Sequence, residues 1–121
     1  MTAREFEKLV EDGLAMVPGE LRSLISNVQI VIEDEPSAEL LEELGVPDDE
    51  ALFGLYSGTP LTERSSDFAD LPDRITIYRL PLLEEFDDPD ELRREVARTV
   101  IHEIAHHFGI SEERLAELGW D

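Results

Sequence analysis

Between Asp88 and Gly109 the sequence carries the start, the body and the stop of one long helix. Asp88 is a capping residue, Pro89 suits the first helical position, and Asp90 and Glu91 place acids where the helix dipole favours them. Gly109 supplies the left-handed stop. Within these limits Leu92, Val96, Val100, Ile104 and Phe108 recur every fourth residue, and the spacing predicts a stripe facing a core. His102 and His106 each fall about 200° from Ile104 on the helical wheel. They are therefore expected on the opposite side, together with Glu95 and Arg98.

That polar side carries chemistry. All three histidines of the chain lie between positions 102 and 107. Imidazoles four residues apart stack one turn above the other, with Cβ atoms roughly 6 Å apart, and both can reach one small cation. Glu103 is displaced by about 100° round the helix, near a bound ion but not on it. Two histidines bracketing a glutamate in this way form the helix motif of zinc hydrolases. A catalytic Zn²⁺ takes three protein ligands and keeps a fourth position for water. Gly109 can turn the chain back under the helix, and Glu112 is the first residue able to return to the ion. Glu113 and Glu117 are its competitors, and a first-turn helix acid behind Ser111 is the plain structural reading of Glu112. The expected site is thus His102, His106 and Glu112 as metal ligands and Glu103 as general base on a zinc-bound water. His107 is expected to be a solvated surface residue. Arg64, Tyr56 and Tyr78 are the candidates for stabilising an oxyanion, although nothing in the sequence places them near the metal.

The remaining segments alternate helix and strand. Thr2 and Glu5 form a capping box, and Phe6, Leu9, Val10, Leu14 and Val17 mark an amphipathic helix ending before Pro18-Gly19. Leu21, Leu24 and Ile25 fit a short helical link. Residues 27–33 read as a strand with Val28, Ile30 and Ile32 on one face. Ser37 and Gly45 bracket a short helix. Residues 52–56 read as a second strand, in which Gly54 signals a bulge or a close backbone approach. The polar stretch from Ser57 to Asp73 is too long for a tight hairpin, and loops of that length are often functional. Residues 74–80 read as the third strand, Pro81 opens a helical turn through Leu83 and Phe86, and Ser111 caps a last helix carrying Leu115 and Leu118.

Composition narrows the classes of function. With 121 residues the chain is expected to form one domain, 1–121. A net charge of −20 repels phosphate backbones and anionic lipid, so neither nucleic acid nor membrane is expected as a partner. The absence of cysteine excludes disulfides and thiolate metal sites. The polar N-terminus and the lack of a long apolar run point to the cytoplasm, and the chain is expected to act as a monomer.

The run His102-Glu103-x-x-His106-His107-Phe108-Gly109, together with residues 27–36, 54–65 and 75–83, resembles the small bacterial zincin-like metallopeptidase family. The resemblance covers most of the chain. It implies an α+β minimal zincin-like fold: a small mixed sheet, an edge strand lining a cleft, the motif helix packed beneath, and N- and C-terminal helices. It also implies an extended motif similar to that of metzincins, with an acid in place of a third histidine. Glu112 holds that position, one methylene longer than the expected Asp, and a methionine turn is missing because Met1 and Met16 precede the motif. The expected function is zinc-dependent hydrolysis of peptides or unfolded polypeptides. Two alternatives stand beside it. One is a zincin scaffold acting as a non-catalytic metal-binding or protein-interaction module. The other is a zinc endoribonuclease, which the acidic charge disfavours.

Overall fold

A computed structural model describes residues 1–58 and 73–120. Helix α5 (Pro89–Phe108) is its longest element, with 20 residues. The Asp88 side chain accepts a hydrogen bond from Glu91 N, and Gly109 closes the helix at φ 69°, donating its N–H to Ala105 O. Asp88→Ala leaves the first turn without that acceptor. It is expected to cost about 1 kcal/mol in urea unfolding with an unchanged slope.

Leu92, Val96, Val100 and Ile104 are buried as the stripe requires, but Phe108 is 42% exposed. Each four-residue step advances about 40° beyond a full turn, so after four steps the stripe has wound about 160° round the helix. Phe108 therefore emerges on another face. Ala97, Ile101 and Ala105 are buried as well, so α5 is covered along two adjoining faces.

One cover is helix α1 (Ala3–Leu14), whose Phe6, Leu9 and Val10 enter the same core. The two helices cross closely at Gly13, where a Cβ would stand 2.8 Å from Arg93 O and 3.1 Å from Val96 Cβ. Thr2 caps α1 through Glu5 N and donates its hydroxyl hydrogen to the Glu5 carboxylate. After Pro18 the chain makes helix α2 (Gly19–Arg22) and a 3₁₀ turn (Ser23–Ile25).

The other cover, among the described residues, is a three-stranded mixed sheet in the order β1-β3-β2. Strand β1 (Val28–Glu33) runs parallel to β3 (Asp73–Tyr78), and β2 (Gly54–Ser57) pairs antiparallel to β3 from the outside. Ile75 and Ile77 of β3 are fully buried in the core, with Val28, Ile30 and Ile32 of β1 packed against it. Thr76 and Tyr78 alternate to the other face. There helix α3 (Ala38–Leu44) lies over a groove of about 310 Å³ that Thr76, Tyr78, Arg74, Leu55, Leu40 and Glu43 help to line.

Arg79 and Leu80, expected as strand, instead begin helix α4 (Arg79–Glu85), which places Pro81 in the first turn. A proline is tolerated there because first-turn N–H groups have no partner within the helix. Leu80 N donates to Asp34 O at the end of β1, and this bond turns the chain out of the sheet. Helix α6 (Glu112–Glu117) follows the Gly109 turn and is capped by Ser111. Trp120 then folds back onto α5, where the Arg94 guanidinium lies 4.8 Å from its ring centroid. The architecture is α+β, as the sequence implies. Among the described residues no helix is long and apolar enough to cross a membrane.

Candidate metal centre

His102, Glu103 and His106 lie in the last two turns of α5. His102 and Glu103 are half-buried, and His106 is exposed. The Nε2 of His102 is buried without a hydrogen-bond partner among the described residues. An orphaned buried imidazole nitrogen is costly unless something binds it, and a metal ion is the partner this donor type suits. Two imidazoles one turn apart, one with its nitrogen unpaired, therefore fit a zinc ion. One turn earlier Arg98 Nε is also buried without a hydrogen bond among them, 3.5 Å from Glu95 Oε1.

The carboxylate of Glu103 has a definite partner. Its Oε1 accepts a 2.9 Å hydrogen bond from the main-chain N–H of Tyr56 in β2. The strand register explains why this N–H is available. Tyr78 N donates to Phe53 O, so residues 53, 55 and 57 bond toward β3. Gly54 and Tyr56 therefore turn their N–H and C=O groups to the outer edge of the sheet. Gly54 brings that edge onto the helix, because a Cβ there would lie 2.6 Å from Thr99 Cγ2 and 2.9 Å from Thr76 O. Of the two readings of this glycine, close backbone approach is the one realised.

The Tyr56 side chain closes a small cluster beside the motif. Its hydroxyl donates to Asp73 Oδ2 at 2.6 Å. Its ring stacks on His107, with centroids 3.9 Å apart and planes 18° from parallel, and Phe108 meets both rings edge-on. His107 is exposed, as expected from sequence, and one face of its ring packs on Tyr56. His107 Nε2 is 4.0 Å from Asp73 Oδ2.

Glu112 occupies the first turn of α6 and is exposed, as is Glu113. Glu117 is engaged by Arg114 at 2.7 Å, and Arg114 also grips Glu20 of α2. That pairing holds the Glu20 carboxyl below its usual range and raises the Arg114 guanidinium. Among the described residues no three His, Cys, Asp or Glu side chains converge as a metal-holding group. The two imidazoles and Glu103 share the end of one helix, and Glu112 opens the next. Of the oxyanion candidates, Tyr56 lies beside the motif, with its hydroxyl donated to Asp73. Tyr78 lies on the far face of the sheet, where burial, reinforced by Glu33, raises its phenol. Arg64 and most of the polar stretch from Ser57 to Asp73 lie outside the described residues.

Comparison with known proteins agrees with this architecture. The family profile of zincin-like metallopeptidases matches residues 25–120, and the chain belongs to that family. A solved structure of a conserved hypothetical protein from T. thermophilus superposes with a TM-score of 0.58 at 27% identity. The match covers 96% of this chain and 98% of that one. A comparison with curated proteins finds none that matches.

Proposed function

We propose that the chain is a zinc-dependent metallopeptidase that hydrolyses peptides or unfolded polypeptides. The observation that carries the reading is the pairing of His102 and His106 on α5 with Glu103 turned toward the sheet edge, in a chain of zincin-like family. His102 and His106 would hold the ion, with Glu112 as third ligand. A zinc ion at such a site supplies Lewis-acid polarisation of a carbonyl and lowers the pKa of its water toward ~7.

The protein's own groups do the rest. Tyr56 N–H engages one oxygen of Glu103, leaving the other to take a proton from the attacking water. The same carboxyl then delivers that proton to the departing amine nitrogen.

A second reading rests on one observation: no third metal-ligating side chain joins the two imidazoles among the described residues. A protein-interaction scaffold without catalysis would not need a complete ligand set. Metal analysis and peptide hydrolysis separate the two readings. Protein purified without chelator is expected to hold near one zinc per chain, lost in His102→Ala, and to cleave casein or a peptide library. Glu112→Ala is expected to weaken zinc binding while Glu113→Ala and Glu117→Ala do not. Stoichiometric zinc with no cleavage of any peptide would leave the scaffold reading.

A further inference from the structure

Glu103 is held from outside its own helix, and what holds it is itself anchored. Among the described residues Tyr56 places its N–H on Glu103 Oε1, its hydroxyl on Asp73 Oδ2, and its ring on His107 with Phe108 edge-on. These contacts tie the outer edge of β2 to the start of β3 and to the last turn of α5. A carboxylate on a half-buried glutamate has rotamer freedom of its own, and a base works only when that freedom is restricted to productive geometry.

We propose that Tyr56 is the positioning residue of this site. Its main-chain N–H fixes the Glu103 carboxylate, while its side chain, clamped between the His107 ring and the Asp73 carboxylate, fixes where that N–H stands. The inference rests on the reading of Glu103 as the general base. It goes beyond that reading by giving His107, Asp73 and Tyr56 a joint role that touches neither metal nor substrate. The side chain is needed because β2 is a short outer strand of only 4 residues, with one ladder partner among the described residues. Such edges open easily unless something besides the ladder holds them.

Two measurements test the clamp. The first is amide exchange on labelled protein. The amide at position 56 points off the sheet edge, and the acceptor it meets there is Glu103. Glu103→Ala is expected to speed its exchange at least tenfold, roughly, while the ladder amides of Leu55 and Ser57 keep their rates. The second is peptide hydrolysis expressed per bound zinc. Tyr56→Ala is expected to lower kcat by about tenfold or more, because ~1 Å of misplacement of a reacting group costs up to ~10²-fold. KM should stay within about twofold, since no substrate contact of the side chain is removed. Tyr56→Phe keeps the ring over His107 and is expected to fall between wild type and Tyr56→Ala in both measurements. Should Tyr56→Ala fail to fold, His107→Ala, at a half-exposed position, removes the stacking surface and is expected to act in the same direction. Unchanged exchange at position 56 in Glu103→Ala would overturn the clamp, as would full kcat per zinc in Tyr56→Ala or His107→Ala. A wild type that holds zinc but cleaves nothing would sink the peptidase reading, and the exchange measurement would still decide whether Tyr56 holds Glu103.

Discussion

Glu103→Gln is expected to lower kcat for peptide hydrolysis by about 10²–10⁴-fold, the usual weight of a general acid–base group. Zinc content is expected to stay at the wild-type level. Glutamine is the informative replacement. Its amide oxygen can still accept the N–H of Tyr56, so the side chain keeps its place at the sheet edge. What it loses is basicity, because the amide cannot take up the proton that the attacking water must release. Glu103→Asp makes the opposite change. It keeps a carboxylate but withdraws it by one methylene from an N–H that now sits 2.9 Å away. A smaller but definite loss of kcat is expected there, with zinc again retained. Measuring both variants per bound zinc separates the proton acceptor from its placement. If Glu103→Gln hydrolysed peptides at the wild-type rate, Glu103 would not be the base, and the metal pair on α5 would serve binding alone.

The parts of this molecule legible from sequence are those set by local rules. Cap, proline and glycine fix the ends of α5 because each acts on the adjoining turn, and the i, i+4 imidazoles follow from helix geometry alone. The β-branched runs of β1 and β3 identify themselves for the same reason. The misreadings arise where a local rule meets its neighbour. Arg79 and Leu80 continue the apolar pattern of β3, yet the bond from Leu80 to Asp34 and the permissive first turn draw them into α4. Phe108 lies at the end of a stripe whose period is four and not 3.6, so the drift carries it into partial exposure. The grip of Tyr56 on Glu103 spans 47 residues and uses a main-chain donor, which no side-chain motif can encode. Gly54, a glycine inside a strand, is the one trace of it in the sequence.

That glycine gives the second large effect expected, because it sets how near the outer strand can come to the motif helix. In Gly54→Ala the new methyl would meet Thr99 Cγ2 at 2.6 Å and Thr76 O at 2.9 Å. Thr99 can turn its side chain away. The carbonyl of Thr76 belongs to the ladder of the sheet and can move only if the strands do. Overpacking of this kind costs about 1–3 kcal/mol. At about 4–8 °C per kcal/mol for a domain near this size, thermal unfolding should shift down by roughly 4–24 °C. The displacement also has a direction. Strand β2 must shift against β3, taking Tyr56 N–H with it, so kcat per bound zinc should fall in the surviving folded protein although no motif residue has changed. Adding Thr99→Ala relieves the contact with the helix but not the one with the carbonyl. Partial recovery of both stability and kcat in the double variant, with a coupling of about 0.5 kcal/mol or more, would show that one close approach governs both. Gly54→Ala unfolding at the wild-type temperature with undiminished kcat would mean that the strand does not press on the helix, and that Glu103 finds its orientation without it.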